Sequence, residues 1–150
     1  MAVHYWNDGQ LDETSVDERV EPYLRAWKRF CADFRYEPEV NEMIGYSEKW
    51  NFAGTFDTIG TWRQLRKRPR VLIDVKSGLP DPCHGPQTAA YVQLARENDL
   101  VDRTEMPQRA VVRLQPNGHY MVDPMMDPGD WATFVAALQC HNFKSRHGIL

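Results

Sequence analysis

The segment Arg70-Val71-Leu72-Ile73-Asp74-Val75-Lys76 limits what this chain can fold into more than any other. A strand with one wet face alternates apolar and polar residues, whereas a strand buried on both faces reads as a near-continuous apolar run. Val71, Leu72, Ile73 and Val75 give the second pattern, so the segment is predicted to be a central strand with a layer packed on each side. The run meets two charges, Asp74 and Lys76, at its end. Side chains two apart on a strand leave the same face, and buried charges are costly unless they are paired or hold a metal. Their placement needs a chemical reason.

The flanking patterns supply the layers. Upstream, residues 40–47 and 52–62 are rich in β-branched and aromatic side chains and separated by polar turns, which predicts two further strands. Before them, Val16, Val20, Tyr23, Leu24, Trp27, Phe30, Cys31 and Phe34 recur every three to four residues and predict a helix reaching about Arg35. Ser15-Val16-Asp17-Glu18 has capping-box spacing for its start, and Pro22 inside it implies a kink or two abutting helices. Downstream, residues 87–100 carry Ala89, Ala90, Tyr91, Leu94 and Ala95 at helical spacing. Residues 109–114 and 119–122, joined by Gln115-Pro116-Asn117-Gly118, form a hairpin, and 130–143 closes as a helix with Trp131, Phe134, Val135 and Leu138 inward. Residues 1–14 read as a loosely attached lead-in to a core of about 15–143. The order helix, three strands, helix, hairpin, helix predicts an α/β sandwich around a mixed central sheet.

With 150 residues, 42% of them hydrophobic, the chain has material for one core, which predicts a single domain over 1–150. No apolar run approaches the ~18 residues that span a bilayer, and the N-terminus lacks a signal-peptide pattern, so a soluble, cytoplasmic protein without a membrane partner is expected. Three scattered cysteines, Cys31, Cys83 and Cys140, signal neither a disulfide framework nor a structural zinc site. A net charge of -3 argues against a protein that coats nucleic acid through its overall field. It leaves room for a local basic face, for which Arg63, Arg66, Lys67, Arg68 and Arg70 are candidates, although such a run between two strands is more often a solvated loop.

Four short elements carry chemistry: Glu42 on the first strand, Gly54-Thr55-Phe56-Asp57 on the second, Asp74-Val75-Lys76 ending the third, and Gln87-Thr88-Ala89-Ala90-Tyr91 opening the helix. Asp57, on a neighbouring strand, reaches the face shared by Asp74 and Lys76, so two carboxylates and an ammonium converge. Hard carboxylate oxygens hold Mg2+ or Mn2+, which neutralises a phosphodiester and lowers the pKa of a bound water. The Val75 carbonyl is a further candidate ligand, and a nearby ammonium orients the water or stabilises the developing charge. Gln87 and Tyr91, four apart, share a helix face. Singly each element is weak, since an Asp-x-Lys pair is usually an exposed strand end and Glu42 reads as an ordinary strand residue.

In this order and spacing the set resembles the RecB-type branch of the PD-(D/E)XK nuclease superfamily, which includes AddAB nuclease domains, CRISPR-associated exonucleases and phage recombination exonucleases. The likeness covers nearly the whole chain, as a minimal phage-type single domain. It implies a restriction-endonuclease-like αβββαβ core in which Asp57 and Asp74 bind the catalytic metal and Glu42 binds it directly or through water. Lys76 is then the catalytic lysine, and Gln87 and Tyr91 position the DNA backbone or the other groups. The implied activity is a Mg2+- or Mn2+-dependent deoxyribonuclease that processes DNA ends or single strands in phage recombination or replication, in the host cytoplasm if phage-encoded. The implied partners are DNA and either a second copy of the chain or a recombination or helicase protein. Many relatives carry a His-bearing helix upstream of the capping-box helix; this chain is expected to begin too early to contain it, leaving only His4 in an unpatterned lead-in. Some relatives hold an iron–sulfur cluster on four cysteines, and with three scattered cysteines none is expected here. The other reading is a nuclease-fold DNA-binding or assembly module that does not cut by itself.

Overall fold

In the computed structural model, which describes residues 2–149, the Arg70–Lys76 segment is strand β3, the middle of a five-stranded mixed sheet. On one side of it β2 (Phe52–Trp62) and then β1 (Tyr36–Ser47) pair antiparallel. On the other, β4 (Gln108–Leu114) runs parallel to β3 and β5 (Tyr120–Pro124) closes the edge antiparallel to β4. The helices are α1 (Ala2–Asn7), α2 (Glu21–Phe34), α3 (His84–Glu97) and α4 (Asp130–Arg146). The expected α/β architecture is therefore present, and no described helix is long and apolar enough to cross a membrane.

The alternation along β3 sorts the core into two layers. Val71 and Ile73 point to the α2 side, into a cluster with Trp27, Phe30, Tyr36, Trp62 and Val112, while Leu72 joins Phe56, Ile59, Val92 and Ala95 beneath α3. The α2 side is an aromatic stack, with ring centroids 5.2 Å apart for Trp27–Phe30 and 4.8 Å for Phe34–Trp62. Each such pair adds about 0.5–1.5 kcal/mol beyond the area it buries. On the opposite side, α3 crosses the strands obliquely. Its first turn meets β4, where Arg109 donates to the Gly85 carbonyl at 2.9 Å, and its end meets β1, where Asn98 donates to the Tyr46 carbonyl at 3.0 Å. The close approach requires Gly45, because a Cβ there would stand 2.8 Å from the Leu94 Cβ.

The structure departs from the sequence expectation in four places. Residues 1–14 are not a loose lead-in: they contain α1, which buries Val3 and is tied to α2 and β1 by Trp27 Nε1 donating to Asn7 Oδ1 (2.7 Å) and Asn7 Nδ2 donating to Asn41 Oδ1 (3.0 Å). The capping box does not form. Ser15 Oγ donates instead to the Asp12 carbonyl within a 3-10 turn, Glu13–Ser15, and α2 starts at Glu21. Pro22 then lies in the first turn, where its missing N–H has no intrahelical partner to lose, so no kink is needed. Helix α3 starts at His84, ahead of the predicted 87, and His84 is buried. The expected inward face of α4 is only half-buried, packed through Trp131 and Phe134 on Trp50 and Phe52, and the helix is anchored by the Arg109–Asp130 ion pair at 2.9 Å.

Candidate active site

The chemistry-bearing residues gather where β2 parts from β3. The last paired residues of that ladder are Thr58 and Ile73, and continuing the register would set Asp57 opposite Asp74. The strands separate instead. The Asp57 carboxylate accepts the Val75 N–H through Oδ2 at 2.6 Å, so a side chain satisfies an amide that a strand partner would otherwise take. Phe56 and Ile59, three apart, enter the same apolar cluster, so the alternation of β2 breaks between them, at the level of Asp57. Across from Asp57 in the β1 register, Glu42 has a φ of +46°, a left-handed kink in mid-strand. The N–H and C=O of one strand residue leave the same edge, so the Val75 carbonyl faces this fork as its N–H does.

Asp74 is 2% exposed, and the Lys76 ammonium stands 2.9 Å from its Oδ2. The ammonium is the ion-pair partner of Oδ2, which is buried and has no other polar partner among the described residues. Burial pushes the Asp74 carboxyl above its ordinary range; Lys76 draws it back and Asp57 adds to the rise. For Lys76, burial works against the charge, but Asp74, then Asp57 and Tyr91, outweigh it, so the ammonium is held above its usual range and stays charged. It is a donor in this state, not a base. Tyr91 is raised by burial and by Asp74 against the lowering effect of the Gln87 amide, which donates to the phenol oxygen at 2.8 Å. Its hydroxyl therefore remains protonated at neutral pH.

The sequence reading missed one residue of this site. His4, on α1, is buried and brings Nε2 to 3.9 Å from Asp57 Oδ1, while its Nδ1 has no hydrogen-bond partner. Val3 and Trp6, three apart, followed by Asp8-Gly9 were the available signal, since Gly9 takes the left-handed φ of +66° that follows a helix end. The expectation that His4 lies in an unpatterned segment is thus corrected. Glu42 is exposed and makes no hydrogen bond or ion pair among the described residues. Nor do any three His, Cys, Asp or Glu side chains among the described residues stand close enough to hold a metal ion by themselves.

A divalent cation still fits the donors that are present. Asp74 Oδ2 is a buried carboxylate oxygen whose one partner is the Lys76 ammonium, Asp57 lies beside it, and the Val75 carbonyl faces the same gap. Such an all-oxygen set suits Mg2+ or Mn2+, which keep several waters in their shell. A cleft of about 770 Å3 lies elsewhere, between Tyr46, Lys49, Gln93 and Arg96, and shares no residue with the fork. The basic run at residues 63–70 is also elsewhere, at the opposite end of β3, so it does not line this site. No protein-family model matches the chain, and no curated protein sequence matches it.

Proposed function

We propose that the fork is the active site of a Mg2+- or Mn2+-dependent DNA nuclease built on a PD-(D/E)XK core. The observation that supports this reading most is the buried Asp74, paired with a charged Lys76 and beside Asp57, at the end of a strand that is otherwise apolar. A buried carboxylate is costly even where a partly exposed ammonium pairs with it, and a cation-binding role accounts for its place here. Asp57, Asp74 and the Val75 carbonyl would hold the cation. When bound, it neutralises a phosphodiester oxygen and makes a water acidic enough to attack at neutral pH.

The remaining roles follow from position and charge. Lys76 has a side chain 30% exposed above the buried Asp74, so its ammonium meets the substrate at the mouth of the fork and donates to the phosphoryl oxygen that gains charge. Tyr91, fixed by Gln87, offers a neutral hydroxyl donor on the α3 side. His4 closes the α1 side, with Nε2 3.9 Å from the outer oxygen of Asp57, while the Val75 N–H fixes the other oxygen. DNA as the substrate, and exonuclease-like processing of ends or single strands in phage recombination or replication, rest on the sequence resemblance; so does a second copy, a recombination protein or a helicase as partner.

One observation favours the alternative, a nuclease-fold module that binds DNA without cutting: Glu42 is exposed and outside the contact set, so the third carboxylate is missing from the fork. Incubating end-labelled single-stranded, duplex and branched DNA with Mn2+, with and without EDTA, separates the two. Products that disappear with EDTA support the nuclease. Intact DNA on every substrate, together with a metal-independent gel shift, supports the binding module.

A further inference from the structure

We propose that the β2–β3 loop, at the far end of β3 from the fork, is a second DNA-binding surface that grips the phosphate backbone away from the bond being cut. Its identity as a DNA contact rests on the nuclease reading; its existence as a polyanion site rests on charge and construction. Arg66, Lys67 and Arg68 form the loop tip and are exposed, and exposed Arg35 at the end of α2 lies against the loop base. None of the four has a carboxylate at ion-pair distance among the described residues. Their neighbours are matched: Arg63 pairs with Glu37, and Arg70 with Glu39 and Glu105.

The loop is built rather than loose. Trp62 N–H donates to the Pro69 carbonyl at 3.0 Å to close it, and Arg68 N–H donates to the Leu65 carbonyl at 2.9 Å to form the tip. Arg63 and Gln64 amides donate to the Arg35 and Phe34 carbonyls, both at 3.2 Å, which docks the loop on the end of α2. Arg68 has a φ of +44°, a left-handed conformation that an L side chain holds only where its surroundings impose it. The backbone that carries four exposed cations is thus held in one place, in a protein whose net charge of -3 otherwise repels a polyanion.

The shape and spacing select the ligand. A convex turn has no cavity to enclose a single phosphate, whereas a polymer with a charge at every step meets several cations at once and releases its counterions. The loop is also too far from the fork to touch the scissile group. From Arg70 to Lys76 the strand rises about 3.3 Å per residue, roughly 20 Å in all. At about 3.4 Å per nucleotide step, the backbone held here is roughly six or more steps from the bond at Lys76, or belongs to a second segment.

The test is binding of the full chain to a labelled duplex of about 30 base pairs in EDTA, by anisotropy across a salt series, where each lost phosphate contact lowers the log–log slope by about one. The variant Arg66→Gln/Lys67→Gln/Arg68→Asn is compared with wild type and with Lys144→Gln/Arg146→Gln, which removes exposed charge from α4. The inference expects the loop variant to bind about tenfold or more weakly at low salt, with a slope smaller by about two to three, and the α4 variant to bind close to wild type. An unchanged thermal midpoint confirms that the loop variant is folded. Wild-type affinity and slope in the loop variant would overturn it, as would an equal loss in the α4 variant, or poly-glutamate competing as well as DNA at equal charge. Failure of the nuclease reading is seen separately, as absence of product when Mn2+ replaces EDTA.

Discussion

The two ends of β3 differ in how their polar groups are satisfied. From Arg70 to Ile73 the ladder to β2 is continuous, Val71, Leu72 and Ile73 are buried, and the cations near the loop are either paired or in water. From Asp74 to Lys76 the ladder has opened, a carboxylate has taken the place of a strand partner, and a second carboxylate is buried with only an ammonium beside it. At the first end the strand pairing is intact, and although Trp62 Nε1 and Arg70 Nε are buried without a hydrogen bond, the Arg70 guanidinium is paired with Glu39 and Glu105. The second departs from that pairing in three adjacent residues, and a local conflict of that kind inside an otherwise consistent fold is what a functional site looks like. Stability should therefore reside at one end and activity at the other, and the two should be separable by mutation.

The largest separation is expected from Lys76→Ala. Loss of a donor to the developing charge should slow DNA cleavage by about 10²–10⁴-fold, some 3–5 kcal/mol of barrier, with a loss of stability smaller than that of the aromatic-layer variant, because Asp74 can take up a proton when its partner is gone. Single-turnover cleavage beside a melting curve reads both. The mirror experiment is Phe30→Ala in the aromatic layer, which should cost about 3–5 kcal/mol in urea denaturation while leaving cleavage intact at temperatures where the variant is folded. Comparable stability losses from both variants would remove the contrast.

Next comes the conflict at Asp74 itself. Its carboxyl is held above the ordinary value in the folded chain, chiefly by burial, so the stability it contributes is fully present below that value and is lost as pH rises through the raised one. In EDTA, Asp74→Asn should accordingly melt higher than wild type at neutral pH, with the gap closing as pH falls towards the ordinary carboxylate range. Mn2+ should reverse the order. A cation that binds only the folded chain adds about 2.7 kcal/mol at a hundred times its Kd, and the variant should gain little of it. A wild-type midpoint indifferent to Mn2+ would break this part of the comparison. The smallest effect is expected from Glu42→Gly, which relieves the +46° backbone and should raise stability by about 0.5–1 kcal/mol. If that variant also loses cleavage, Glu42 enters the fork during the reaction.

The sequence made the strands readable because their signals are local. Apolar alternation and turn residues placed β2 and β3 almost to the residue, and Asn117-Gly118 marked the β4–β5 turn, where Gly118 takes a φ of +79°. The order of Asp57, Asp74, Lys76, Gln87 and Tyr91 was readable for the same reason. What escaped depends on contacts between distant segments. Helix α1 has six residues, too few to be stable alone, and exists through Trp27 and Asn41, so His4 could not be assigned from its neighbours. The start of α2 went to Pro22 rather than to Ser15, because Ser15 found a closer backbone acceptor. The kink that turns Glu42 outward and the parting of β2 from β3 are properties of the twisted sheet and have no one-dimensional signature.

The central claim is that the open end of β3 cuts DNA. Its most direct test is single-turnover cleavage of end-labelled DNA in Mn2+ by wild type and by Asp57→Asn, with both proteins saturating the substrate and binding verified in EDTA. The account predicts cleavage by wild type, abolished by EDTA, and DNA bound but intact with the variant. Intact DNA with wild type, or equal cleavage by Asp57→Asn, would contradict it.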